Sequence, residues 1–182
     1  MRQRIRRLPT GVSLRYDTFM IREYERILEQ SKSREKETHK QMVHLSKFNR
    51  TGFDATVAKY HEEIFKQIDC LKCGNCCRAL GPRFRDKDVK ILAKETGLTP
   101  KEFARRYLKS DIDEDFYVLE KLPCPFLAED GTCTDYEKKP LSCEEYPYTT
   151  THNVQRHLVR LGYNSLICPA AALIVQRILA EY

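Results

Sequence analysis

The chain has 182 residues, 41% apolar and 32% charged, enough for one domain with a real core and too apolar for compositional disorder. It has seven glycines, no Trp, a net charge of +6, and neither a G-x-G-x-x-G nor a P-loop pattern, which excludes the Gly-rich nucleotide loops. Residues 1–69 hold 15 Lys/Arg against 10 Asp/Glu and no cysteine, whereas residues 70–182 hold 17 against 16 and all eight cysteines.

The first residues, MRQRIRRLPTG, carry Arg2, Arg4, Arg6 and Arg7. A basic cluster of this kind can meet an anionic partner, but a solvated tail over 1–12 is the expectation. No apolar stretch follows it, so no secretory signal is expected, and the apolar run at 170–175 is too short to span a bilayer. The expected location is the cytoplasm, where disulfides are rare.

Residues 13–30 have helical periodicity, with Tyr16, Met20, Tyr24 and Ile27 on one stripe that Phe19 and Leu28 widen. Residues 31–41 carry no apolar side chain and are either an exposed part of one long helix or a break. Met42, Val43, Leu45 and Phe48 resume the pattern, and NRTG at 49–52 reads as a turn. Residues 53–69 are the clearest helix, with Phe53, Val57, Tyr60, Ile64 and Ile68 on one face. A further helix fits 86–95, with Val89, Ile91, Leu92 and Ala93 apolar and Gly97 ending it. TPKE at 99–102 supplies an N-cap, a Pro at the first helical position and an acid at the third. That helix is predicted to reach about Lys109, burying Phe103, Tyr107 and Leu108. Residues 116–122 read as a short strand. Asp130-Gly131 signals a hairpin pairing 126–127 with 132–134. A helical turn is expected over 141–146 and a last helix from Pro169, carrying Leu173, Ile174, Ile178 and Leu179.

The cysteines are Cys70, Cys73, Cys76, Cys77, Cys124, Cys133, Cys143 and Cys168. A disulfide framework is disfavoured by the expected compartment, by a chain long enough to fold without staples, and by the strain of bonding neighbours such as Cys76 and Cys77. Thiol redox chemistry needs two cysteines, not eight, and the βαβ context of a thioredoxin-like site is missing. Metal fits best. Two C-x-x-C units overlap in CLKCGNCC, and such spacing lets one loop grip one ion. Zinc and iron–sulfur both suit it, since Cys-x2-Cys-x2-Cys also opens the bacterial ferredoxin run, and Cys124-Pro125 and Cys168-Pro169 are both Cys-Pro pairs. Eight thiols allow two four-ligand sites or one polynuclear site. Lys72 and Arg78 stand close enough in sequence to offset thiolate charge, or are ordinary solvated surface.

CLKCGNCC followed by CPFLAEDGTCTDYEKKPLSCEEYP resembles the YkgJ-type cysteine-cluster family, described as zinc- or iron-chelating domains. Cys70, Cys73, Gly74, Cys76 and Cys77 match its first element, C-x-x-C-G-x-C-C. Cys124 to Leu127, Cys133, Tyr136, Pro140, Cys143, Tyr146 and Pro147 match its second, and Cys168 fits a later cysteine common in the family. The resemblance spans about 70–168 and implies metal binding. It departs at Lys139 and Glu144, where arginine is usual. Flagellin lysine methylases share the cysteine motif, which raises a metal- or Fe–S-dependent protein lysine methyltransferase as an alternative, although no recognisable S-adenosylmethionine loop is present.

The remaining candidates are weaker. His152 and His157 are spaced by five, off a common helix face, and read as surface or core. His39, His44 and His61 read as solvated. Asp111, Asp113, Glu114 and Asp115 lack the glycine and closing Glu of an EF-hand and read as an exposed loop. Tyr146, Pro147 and Tyr148 read as an aromatic cover over a cluster or as plain core.

The expectation is therefore a mainly α fold: a basic tail at 1–12, a helical arm at 13–69, and a compact α domain with a small β-hairpin at 70–182, stapled by metal. The expected cofactor is zinc or iron, including a 4Fe-4S cluster, held by the eight cysteines. An interaction module using the Arg-rich tail is the third functional class. Nucleic acid is not expected as a partner.

Overall fold

The computed structural model describes residues 14–112 and 115–182, with side chains from residue 21 onward. The basic tail, Asp113, Glu114 and the side chains of Tyr16, Phe19 and Met20 lie outside the described residues.

The fold is mainly α, with ten helices among the described residues and one small three-stranded antiparallel sheet. Helix α1 (Leu14–Ser33) and α2 (Glu35–Ser46) are separate, so the charged stretch is a break, placed at Arg34. Gly52, at φ 79°, turns the chain into α3 (Phe53–Phe65). Phe53, Val57 and Ile64 of its predicted face are buried. Ile68 is also buried, but lies past the helix end. Phe48, expected on the apolar stripe, is exposed beyond the end of α2.

The cysteine loop is two short helices, α4 (Cys70–Cys73) and α5 (Asn75–Ala79), joined at Gly74. After them come β1 (Arg83–Phe84), α6 (Asp86–Glu95), α7 (Pro100–Tyr107), β2 (Leu108–Ser110) and β3 (Tyr117–Leu119). Strand β3 is central, pairing Phe84 with Tyr117 on one side and Leu108 with Leu119 on the other. Helix α7 stops short of Lys109 because Leu108 turns extended, at φ −122° and ψ 156°, and joins the sheet. Ile91 is 45% exposed, because α6 buries the face bearing Val89, Leu92 and Ala93.

The predicted hairpin is present as a single bridge between Leu127 and Cys133, with the Ala128 N–H donating to the Thr132 carbonyl at 2.9 Å. Helices α8 (Leu141–Glu145), α9 (Leu158–Asn164) and α10 (Pro169–Glu181) complete the chain.

Two apolar cores result. The first joins Tyr24, Met42, Phe53 and Val57 of α1–α3 to Leu158, Leu161, Ile174 and Ile178 of α9 and α10. Burying such side chains stabilises the fold by about 1.5–3 kcal/mol each. Polar groups tie the same elements. Asp54 accepts from the N–H groups of Asn153 and Val154 at 2.7 and 2.9 Å, and Arg177 pairs with Glu63. The second core joins Phe84, Leu92, Phe103, Leu108 and Leu119 to Phe126. No helix among the described residues is long and apolar enough to cross a membrane.

Candidate metal centre

All eight cysteines are free thiols, so disulfides do not hold this region. Local geometry explains how four of them come together. Asp69 caps α4 by accepting from the Leu71 N–H at 3.0 Å, and its own N–H donates to the Tyr24 hydroxyl at 3.1 Å, fastening the helix start to α1. Gly74, at φ 54°, closes α4 and opens α5. Here glycine is required: a Cβ would lie 2.9 Å from the Gly131 carbonyl oxygen, so the hairpin could not pack against the loop. Arg78 donates to the Cys73 carbonyl at 2.7 Å and has its guanidinium beside Gly74 and Gly131, bracing the same contact.

The other four arrive from distant segments. The Asn75 amide donates to the Ile167 carbonyl at 2.6 Å, which brings Cys168 to the loop. The Cys124 N–H donates to the Cys77 carbonyl at 2.8 Å. The hairpin bridge positions Cys133, and Ser142 donates to the Arg83 carbonyl at 2.7 Å, which seats α8 and Cys143.

Electrostatics follow from that packing. Burial pushes Cys70 and Cys124 up to about 11, and Cys143 and Cys168 up to about 12, with neighbouring thiols adding to the rise. Burial also raises Cys73 and Cys133. Cys76 and Cys77 share a side-chain hydrogen bond that keeps the proton on Cys76 and pulls Cys77 down to about 7. Tyr146 is raised by burial and then by Cys168 and Cys76, and its buried hydroxyl has no hydrogen-bond partner.

This donor set fits a soft or borderline cation. One backbone N–H already donates to a sulfur, that of Ala171 to Cys168 at 3.4 Å, and the backbone at Asn75, Phe126 and Asp135 favours the ionised forms of Cys73, Cys124 and Cys133. Such bonds favour thiolate over thiol, which is the form that binds metal. The sulfurs are neighbours rather than a preset cage. Among the described residues, no three or more Cys, His, Asp or Glu side chains stand ready-made to hold an ion.

A protein-family model described as "CxxCxxCC: Putative zinc- or iron-chelating domain" matches residues 69–168, more than half of the chain. The chain belongs to this family. No curated protein and no solved structure matches it. In this CxxCxxCC protein the matched stretch begins at the residue that caps α4 and ends on Cys168, so it contains all eight cysteines.

The weaker candidates resolve differently. His152 is exposed, and His157 Nδ1 stands 3.2 Å from Arg160. His61 is not simply solvated: it is half-buried, 2.7 Å from Thr149 Oγ1 and stacked on Phe65. Asp111 pairs with Arg83 at 2.5 Å. Sequence reasoning treated Lys139 only as a departure from arginine. Its ammonium counters the charge of Cys70, Cys133 and Cys143, and it caps the Tyr136 ring at 3.6 Å. The signal was there, since a cation one residue before Pro140 is kept while its type changes.

Proposed function

We propose that this chain binds zinc or iron through the thiolates of Cys70, Cys73, Cys76, Cys77, Cys124, Cys133, Cys143 and Cys168. The observation that supports this most is the gathering of free thiols from the loop, the hairpin, α8 and Cys168 by tertiary contacts, with the Ala171 N–H donating to Cys168 Sγ at 3.4 Å. Thiols so placed repel when ionised, and a bound cation removes that repulsion.

The ion also supplies order. Helices α4, α5 and α8 have four or five residues each, too few to persist on their own. Metal joining them to the hairpin and to Cys168 contributes folding free energy directly. The centre is thus a staple between segments that lie far apart in the chain.

Anaerobic purification followed by elemental analysis and a visible spectrum tests this reading. Stoichiometric zinc in colourless protein, or iron with sulfide in brown protein, is the expected result. Metal-free protein with eight reactive thiols would overturn it.

A further inference from the structure

We propose that the eight cysteines form two separate four-thiolate centres, Cys70, Cys73, Cys76 and Cys168 in one and Cys77, Cys124, Cys133 and Cys143 in the other. The inference rests on the metal-binding reading above and adds the number of centres and the membership of each.

The two apolar cores place five of the eight cysteines in this way. Cys168 belongs to the first core and Cys73 packs against it. Cys124 belongs to the second core, and Cys77 and Cys133 pack against that one. Backbone ties repeat the division. The Asn75 side-chain amide, at the start of α5 next to α4, holds Ile167 and so brings Cys168 to the α4 end of the loop, which Asp69 fastens to Tyr24 of α1. The bond from Cys124 to Cys77 draws the start of the hairpin to a later residue of α5. Within the hairpin, Leu127 bridges Cys133 while its N–H donates to the Cys124 carbonyl at 3.0 Å, so Cys124 and Cys133 are held as one unit. Cys143 comes with β1 through Ser142, on the side of the second core that contains Phe84.

The junction is the vicinal pair. Consecutive residues of a helix are about 100° apart around its axis. Cys77 on α5 packs against the second core, so Cys76, its neighbour on the same short helix, points away from Cys77. Tyr146, with its unpartnered hydroxyl, packs against the first core, the one that contains Cys168. A second consequence of the division is that each centre takes at least one cysteine from outside CLKCGNCC.

The wild-type full chain provides the test. Metal-free protein is loaded with a limiting amount of zinc(II), or of iron(II) with sulfide, then alkylated, and the protected cysteines are mapped by mass spectrometry. Protection is expected to fall into the two sets of four named above, with one set filling before the other. Native mass spectrometry at saturation is expected to show two zinc ions or two clusters per chain. Protection of all eight together at every loading, or of a mixed set such as Cys70, Cys73, Cys76 and Cys77, would overturn the division while leaving metal binding intact. No protection with either metal would overturn both. Cys168→Ser and Cys133→Ser add a second check, because each is expected to halve saturation stoichiometry and spare the opposite set. Loss of all metal in either variant, with wild-type helical content retained, counts against two separate centres.

Discussion

Lys139 occupies a half-buried position from which one ammonium acts on Cys70, Cys133 and Cys143. A lysine is a compact point charge, so it can serve sulfurs arriving from several directions, whereas arginine offers a flat fork suited to one planar acceptor. Its stem is steadied by the Tyr136 ring, whose centroid lies 3.6 Å from Nζ. Removing the charge makes thiolate formation harder at each neighbour. Lys139→Gln is expected to weaken zinc affinity about tenfold, the lower end of the loss when outer partners of metal ligands are changed. Lys139→Arg is expected to retain most of it. Competition against a coloured chelator measures both, and equal affinity in the Gln variant would show that the charge is idle.

At the scale of elements, α7 links the sheet to the cysteine segments. Thr99 Oγ1 accepts from the Glu102 N–H at 3.3 Å, while the Thr99 N–H donates to the Glu102 carboxylate at 2.9 Å. The helix so started places Phe103 in the second core, stacked on Phe126 at 6.2 Å between centroids. Phe126 lies two residues after Cys124, and its backbone favours the ionised form of that thiol. Thr99→Ala is expected to cost about 1 kcal/mol in urea denaturation. Thr99→Ser is expected to restore most of that, and an unchanged Ala variant would mean the cap contributes nothing here. The capping pattern of α7 was legible in the sequence because it is local, as were α6 and α10. The strands β1 and β2 were not. Each has two or three residues, too few for periodicity to accumulate, and β1's partner in β3 also lies far along the chain.

Across the whole molecule, residues 14–65 share a core with α9 and α10, and one polar contact there is pH-sensitive. His61 on α3 meets the buried Thr149 at 2.7 Å, and burial holds its imidazole below the ordinary value of 6.5. The unfolded chain therefore binds a proton at His61 before the folded chain does. The sign follows: stability from this residue is complete above 6.5 and is lost as pH falls toward the depressed folded value. His157 is lowered in the same direction, chiefly by burial, so the informative quantity is a difference. His61→Gln is expected to lose less stability than wild type between about pH 7.5 and about pH 5.5 in parallel thermal melts. A steeper loss in the variant would contradict the assignment.

The sequence by itself determined the donor chemistry and most of the helices, because thiol spacing, caps and apolar stripes are local properties written within a few residues. CLKCGNCC named its own glycine, and the structure shows why, since the Gly131 carbonyl leaves no room for a Cβ at Gly74. Which thiols are neighbours was decided by tertiary structure alone. Cys73 packs against the first core and Cys77, four residues on, against the second, while Cys168 reaches the loop through the Asn75–Ile167 bond. A sulfur carries no mark of its destination. Only long-range packing brings sulfurs from different segments close together, so the grouping emerges when the two cores form.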